Sequence, residues 1–164
     1  LNTYRHGSTS LNIKKAARYF PIIEKIFQEY NIPDDLKYVS VAESDLSNAT
    51  SPAGAKGFWQ FMPRVAQDYG LEVNKEVDER YHLEKATVAA AKHLQRYKDY
   101  FGSWTLATAA YNGGIGRIKK SLESQRAASF YDLNLNQETS RYIFRVLAMK
   151  EIMSQPKKFG YYLS

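Results

Sequence analysis

The sequence predicts one mainly α domain, and three observations lead to that prediction. Apolar residues recur at spacings of three and four along most of the 164 residues, which is the period of an amphipathic helix. No segment alternates apolar and polar residues between hairpin turns, so little or no β-structure is expected. Hydrophobic residues make up 44% and charged residues 24% of the chain, which is typical of a single packed globular domain.

Proline, glycine and capping residues set the predicted boundaries of the helices. Pro33 followed by two aspartates indicates a helix start. Gly102 ends one helix, and Ser103 caps the next. Ser8-Thr9-Ser10 is expected to cap the N-terminus of the first helix. Pro21 is expected either to kink this helix or to begin a second one. Helices are predicted over residues 13–30, 33–44, 57–69, 78–101, 104–112, 115–122 and 137–154, with loops over 45–56, 71–77 and 124–135 and with Asn136 as the last cap.

Several kinds of site are excluded or unsupported. The chain has no cysteine, which excludes disulfides, thiolate metal sites and a cysteine nucleophile. His6, His82 and His93 have no metal-ligand spacing, and no Walker loop, G-x-G-x-x-G or G-x-S-x-G motif is present. No stretch approaches the ~18 apolar residues of a spanning helix. We therefore expect no metal and no cofactor, and carboxylate chemistry remains.

The chain is basic and aromatic. Lys and Arg outnumber Asp and Glu by 23 to 17, a net charge of +6, and aromatic residues make up 14% of the chain. A positive surface favours an anionic partner, although it is also consistent with a role in solubility alone. Nucleic acid is disfavoured because the basic residues are scattered rather than clustered on one helix.

Glu43 is the strongest candidate for chemistry. In the helix predicted after Pro33, Leu36 and Val39 share a face with Glu43, so a carboxyl occupies an apolar position. Apolar surroundings disfavour ionisation and raise the pKa of a carboxyl toward neutrality, as a general acid requires. The spacing is equally consistent with a helix-terminal glutamate whose carboxylate faces solvent.

Two other segments are weaker candidates. Residues 110–114 read AYNGG, which suits either a ligand-facing edge, with Tyr111 and Asn112 supplying polar groups, or an ordinary helix C-terminus. Glu138 and Tyr142 are four residues apart and so share a helix face. The glutamate is also consistent with a first-turn acid that stabilises the helix N-terminus.

Four separated motifs together resemble the catalytic domain of lytic murein transglycosylases, the lysozyme-like soluble-transglycosylase family. The similarity runs from about Tyr19 to the tail at 156–160, so residues 13–164 are predicted to form a single lysozyme-like catalytic domain and residues 1–12 an N-terminal extension. The motifs are Glu43-Ser44, SPAGAKGFWQFMP at 51–63, AYNGG at 110–114 and ETSRY at 138–142.

The resemblance implies a role for each motif residue. Glu43 is expected to be the single catalytic acid and base. Trp59 stands where the family more often has methionine, which predicts an altered sugar contact, and the segment from Glu43 to Ser51 is one residue shorter than in the soluble enzymes. The residues expected to bind substrate along the glycan cleft are Ser51, Gln60, Met62, Tyr111, Asn112, Glu138 and Tyr142.

The implied activity is cleavage of the β-1,4 bond between N-acetylmuramic acid and N-acetylglucosamine in peptidoglycan, with a 1,6-anhydromuramyl product. Two alternatives remain open: a goose-type lysozyme-like hydrolase of the same bond, and a non-catalytic glycan-binding module. A hydrolase of the usual kind needs a second carboxylate, for which Asp45 and Glu138 are candidates. The resemblance also implies glycan strands as partner, a bacterial envelope location in the periplasm or on the periplasmic face of a membrane, anchoring through a segment outside this chain, and a monomer.

Overall fold

The predicted mainly α fold is confirmed by the structure. The computed structural model describes residues 6–125 and 137–162. Within these ranges, β-structure is limited to isolated bridges such as Thr50–Lys56 and Lys56–Phe61. The α-helices of the described residues are α1 His6–Glu29, α2 Tyr38–Ser44, α3 Pro63–Asp68, α4 Leu83–Phe101, α5 Trp104–Gly113, α6 Ile115–Gln125 and α7 Gln137–Ser154. Short 3₁₀ turns cover Asp34–Lys37, Glu79–Tyr81 and Pro156–Phe159.

One apolar core joins the helices. α4 packs against α1 and α5, and α2 packs against α7. The buried face of α4 carries alanines, among them Ala86 and Ala90, which let neighbouring helices approach closely. This packing places the C-terminal end of α2 beside α7. Among the described residues, no helix is both long enough and apolar enough to span a membrane.

The first helix begins earlier than predicted. α1 starts at His6 rather than at residue 13, and Pro21 lies within it without dividing it. The polar residues before Ile13 lack a clear apolar period, but Thr9 and Asn12 are buried by tertiary contacts that spacing does not reveal. The helix therefore crosses the predicted boundary between an extension at 1–12 and the domain at 13–164. That boundary stays a prediction.

Three other predicted helices are shorter than expected. Residues 57–62 are not helical, because Gly57 and Gln60 have φ of 84° and 51°, in the left-handed region. The segment after Asp78 forms a 3₁₀ turn before α4 begins, and the segment after Pro33 does the same before α2.

The later helices follow the predictions closely. The bounds of α7 are confirmed and those of α5 agree to within one residue, whereas α6 continues to Gln125. Most of the loop predicted over 124–135, and the predicted cap Asn136, lie outside the described residues.

Candidate active site

Glu43 lies where three helices meet. It is the next-to-last residue of α2, one turn after the fully buried Val39, so the predicted neighbourhood of these two residues is confirmed. Leu36, also predicted to share this face, is buried but belongs to the preceding 3₁₀ turn. Glu43 as a whole is only half-buried, whereas its carboxyl lies in the interior beside Tyr142 of α7 and Tyr111 of α5.

The electrostatic setting of this carboxyl suits proton transfer near neutral pH. Burial raises the pKa of Glu43 to about 7, and it outweighs the opposing effects of the Tyr142 hydroxyl and the Arg145 guanidinium. A group with this pKa holds its proton in a substantial fraction of molecules at neutral pH and can also act as a base. The raised pKa predicted for Glu43 is therefore confirmed.

Ser44 fixes the end of α2 against the following loop. Its buried Oγ lies 2.8 Å from the carbonyl oxygen of Phe58 and 3.0 Å from that of Ser40, and its single proton is shared between them. Asp45 and Leu46 then reverse the chain with φ of 52° and 51°. These contacts hold Glu43 at a constant position relative to the loop.

The loop residues predicted to bind substrate also hold the loop together. Ser51 Oγ accepts a hydrogen bond of 3.0 Å from the Ala55 N–H. The Gln60 amide donates to the carbonyl oxygens of Ala49 and Gly57, both at 2.9 Å. Both amide hydrogens of Gln60 are thus used within the loop. Met62, at the start of α3, is 42% exposed and faces outward.

Arg80 anchors this loop through its backbone carbonyl oxygens, a role that the sequence analysis did not predict. Its buried guanidinium donates to the carbonyl oxygens of Gly54 at 3.1 Å and Phe61 at 3.0 Å, and it pairs with Asp78 at 2.7 Å. Hydrogen bonding to Arg80 holds the pKa of Asp78 below its ordinary value. A Cβ on Gly57 would lie 1.9 Å from the Arg80 carbonyl oxygen, so only glycine fits there.

Trp59 belongs to the core, so the altered sugar contact expected at this position does not come from a ring that faces the glycan. The side chain has no exposed surface, its Nε1 donates to Thr87 Oγ1 at 2.9 Å, and its ring packs against Phe27. The Trp59 carbonyl oxygen accepts a 2.7 Å hydrogen bond from the Tyr111 hydroxyl. The loop and α5 are thereby joined next to Glu43.

The end of α5 carries two of the predicted residues, one with its polar group hydrogen-bonded and one without. The Tyr111 ring lies 5.1 Å from the ring of His93, and its hydroxyl is committed to Trp59. The Asn112 Oδ1 atom is buried and has no hydrogen-bond partner among the described residues. Gly114 has φ of 81° and ends the helix there.

α7 carries the predicted pair Glu138 and Tyr142 and a third residue, Arg145, whose charge acts on Glu43. Tyr142 is buried, and its hydroxyl faces Glu43 although no described residue meets it in hydrogen-bond geometry. Glu138, one turn earlier, is exposed. Arg145 lies one turn after Tyr142 on an overlapping face of α7, and its positive charge acts to lower the pKa of the Glu43 carboxyl.

The candidate second carboxylates do not join Glu43 in its interior site. Asp45 is held by side chains of α1 and α7, including Asn12 at 2.9 Å and Arg145 at 3.3 Å. Within residues 6–125 and 137–162, no three His, Asp or Glu side chains are grouped to hold a metal ion. His93 is enclosed by aromatic rings, and burial lowers its pKa to about 4.

Comparison with known proteins adds a family and a fold. The family profile described as "Transglycosylase SLT domain" matches residues 20–134. Membrane-bound lytic murein transglycosylase D of Escherichia coli K12 is 34% identical over 152 residues, covering 89% of this chain and 34% of that protein. Membrane-bound lytic murein transglycosylase C of Haemophilus ducreyi is 26% identical over 160 residues, 88% of this chain and 43% of that protein.

A solved structure has the same fold. An inactive glutamate-to-glutamine mutant of the lytic transglycosylase Slt from Pseudomonas aeruginosa superposes with a TM-score of 0.67 and 23% identity. The match covers 84% of this chain and 24% of that protein. The chain thus spans less than half the length of each of these relatives.

Proposed function

Because the chain belongs to the transglycosylase SLT domain family, we propose that it is a peptidoglycan lytic transglycosylase in which Glu43 is the catalytic acid and base. The single observation that carries the proposal is the interior Glu43 carboxyl, whose pKa burial raises to about 7 and on which no second carboxylate among the described residues acts. One carboxyl that can both give and take a proton near neutral pH suits a reaction that needs no activated water.

The proposed reaction has two proton transfers through the same group. Glu43 protonates the oxygen between N-acetylmuramic acid and N-acetylglucosamine, and the bond from that oxygen to C1 of the muramyl residue breaks. Positive charge develops at C1, assisted by the acetamido group of the substrate. The Glu43 carboxylate then removes the proton of the C6 hydroxyl, whose oxygen bonds to C1 and closes the 1,6-anhydro ring. Glu43 ends protonated, and no water is consumed.

Four of the predicted substrate-binding residues fall into two pairs, according to whether their polar atoms already have hydrogen-bond partners within the protein. Asn112 and Tyr142 each carry a buried polar atom without a partner among the described residues, which favours a hydrogen bond to the glycan. For Ser51 and Gln60 we propose a binding role through the loop they shape. Met62 and Glu138 are exposed and would contact sugars farther from the reacting bond, and Tyr111 would line the site with its ring.

The test is the mass of the muropeptides released from purified sacculi. A transglycosylase gives anhydromuramyl products that are one water lighter than those of a hydrolase, and a glycan-binding module gives none. Glu43→Gln should keep the fold and abolish release, because an amide cannot donate a proton of useful acidity. Glu29→Gln, a charge-matched change at an exposed position at the end of α1, should release products like the wild type.

Either of two results would overturn the proposal. Release by a folded Glu43→Gln variant at the wild-type rate would remove Glu43 from the mechanism. Products with the mass of hydrolysed muropeptides would assign the chain to the lysozyme-like hydrolases instead.

The names of the relatives support a location. Both are described as membrane-bound murein enzymes, so we propose that this domain acts on peptidoglycan glycan strands in the bacterial cell envelope, on the periplasmic side. We further propose that membrane attachment is supplied by a segment outside this chain and that the domain at 13–164 acts as a monomer. Fractionation of cells, followed by sedimentation of the purified domain, tests both statements.

A further inference from the structure

We propose that Asp45 is a positioning residue that holds the Arg145 guanidinium at the side of Glu43, with Asn12 of the first helix fixing Asp45 in turn. The inference rests on the proposed role of Glu43 and deepens it. It assigns work to three residues that the motifs of the family resemblance do not include as binding or catalytic groups.

The contacts around Asp45 form a relay between α1 and α7. Asn12 Nδ2 donates to Asp45 Oδ1 at 2.9 Å, and an Arg145 guanidinium nitrogen donates to the same oxygen at 3.3 Å. Lys15 Nζ donates to the Asp45 carbonyl oxygen at 2.9 Å, and the Asp45 N–H donates to Val41 O at 2.9 Å. Asp45 is therefore held both by its side-chain carboxylate and by its backbone.

The Asp45–Arg145 pair is partly exposed, at 39% and 35% of the two side chains, but a buried residue holds one of its members. Pairs between exposed charges contribute little, because two long side chains lose freedom and solvent screens them. Here Asn12 is 1% exposed and holds one partner in place, so only Arg145 has to be ordered. The Arg145 side chain is 35% exposed, and without a partner it is free to extend into water.

Arg145 is the cation that acts on the Glu43 carboxyl. Among the described residues, the groups that bear on this carboxyl are Tyr142 and Arg145 from α7 and Tyr111 from α5, and of these only Arg145 carries a positive charge. Its charge favours the ionised form of Glu43 and opposes the effect of burial. Holding Arg145 therefore limits how far burial raises the pKa of Glu43.

The experiment compares Arg145→Gln, Asp45→Asn and the double variant. The pKa of Glu43 is measured by ¹³C NMR of protein labelled at the glutamate side-chain carboxyls, with the Glu43 signal assigned by its absence in Glu43→Gln. Arg145→Gln should raise this pKa by roughly 0.2 to 0.7 units, the range expected for one partly exposed charge. Asp45→Asn keeps the oxygen that Asn12 and Arg145 both contact but removes the negative charge that attracts Arg145. Arg145 should then be held less firmly, and the pKa should shift in the same direction.

The double variant separates positioning from direct effects. If Asp45 acts only through Arg145, Asp45→Asn should add nothing in the Arg145→Gln background. Asn12→Ala should shift the pKa in the same direction as Asp45→Asn. Lys150→Gln is the matched control, since Lys150 lies on the same helix and pairs with Asp35 at 2.5 Å, away from Glu43.

Three outcomes would overturn the inference. An unchanged pKa in Arg145→Gln would remove Arg145 from the setting of Glu43. A lowered pKa in Asp45→Asn would mean that Asp45 only screens the charge of Arg145. An unchanged pKa in Asn12→Ala would show that Asn12 of α1 has no part in positioning Asp45. Because the titration needs no turnover, it is independent of the muropeptide test, which alone decides whether Glu43 is catalytic.

Discussion

On the loop side of Glu43, the segment 47–62 uses its polar side chains to hold its own backbone, whereas on the helix side polar groups of α5 and α7 remain without partners. Ser51 and Gln60 are bonded to backbone atoms of the same loop. The Asn112 Oδ1 atom and the Tyr142 hydroxyl are buried and have no hydrogen-bond partner among the described residues.

This difference suggests that the loop side determines the shape of the site, whereas the helix side provides the polar groups that bind substrate. Buried polar atoms are normally paired, because leaving one unpaired costs about 1–3 kcal/mol. A site that retains such atoms has donors and acceptors ready for a ligand, whereas a saturated loop contributes a rigid wall. Substitutions on the loop side should therefore change stability first, and those on the helix side should change activity first.

The largest expected effect is on the loop side, at Gly57. Gly57→Ala should lower the free energy of unfolding by about 2–5 kcal/mol, because a left-handed φ and a collision with Arg80 add together. The φ there is 84°, and the added Cβ would lie 1.9 Å from the Arg80 carbonyl oxygen. Urea unfolding followed by circular dichroism measures the change.

Gly54→Ala is the matched control in the same loop. Gly54 has φ of 90° but nothing within 4 Å of the added Cβ, so only the backbone cost of about 1–2 kcal/mol applies. Equal losses in the two variants would mean that the loop moves away from Arg80 without cost, and the picture of a rigid wall would be wrong.

The next effect is on the helix side, at Tyr142. Tyr142→Phe should lower turnover on sacculi by up to about tenfold, the scale of one hydrogen bond to substrate. It should lower the free energy of unfolding less than Tyr111→Phe does, since the hydroxyl it removes has no hydrogen-bond partner in good geometry among the described residues and acts only on the Glu43 carboxyl. Rates of muropeptide release and urea unfolding of the same preparations test both expectations.

Tyr111→Phe is the corresponding change in a tyrosine whose hydroxyl is already paired. It removes the 2.7 Å hydrogen bond to the Trp59 carbonyl oxygen, so stability should fall by about 0.5–1.5 kcal/mol. Activity should fall as well, because the bond joins the loop to α5 beside Glu43. If Tyr142→Phe loses as much stability as Tyr111→Phe, the distinction between a paired hydroxyl and an unpaired one at this site fails.

Local signals in the sequence predict much of the fold and less of the site. Ser103 and Gly102 mark helix ends, and the structure bears them out with a cap bond to Leu106 N and a φ of 71°. The spacing of Val39 and Glu43 likewise predicts their proximity. Such features depend on neighbours along the chain, which a reader of the sequence sees directly.

The parts that were missed depend on contacts between distant segments. Asn12 meets Asp45 across 33 positions, and Arg145 meets Asp45 across 100. The burial of Trp59 likewise depends on Thr87 of α4. No periodicity encodes these contacts, so the early start of α1 and the core position of Trp59 emerge only from the packed structure.

The smallest expected effect tests whether the apolar wall of α2 sets the acidity of Glu43. Val39 is fully buried one turn before Glu43, so we expect it to help exclude water from the carboxyl and to disfavour its ionised form. Val39→Thr keeps the size of the side chain and adds a hydroxyl that can solvate the carboxylate, so the pKa of Glu43 should fall from about 7 by roughly half a unit.

The sign of the pH effect follows from the role of the acid. A general acid must be protonated before the bond breaks, so activity falls as the pH rises through the pKa of Glu43. Lowering that pKa moves the basic limb of the kcat/KM profile to lower pH and reduces activity at neutral pH.

Val41→Thr is the matched control, since Val41 is also fully buried in α2 but lies two residues from Glu43, on a different face of the helix. A basic limb that stays in place in a folded Val39→Thr enzyme would show that Val39 does not control the acid. Tyr111 and Tyr142 would then account for the shielding of Glu43, and the helix side alone would set both its binding and its acidity.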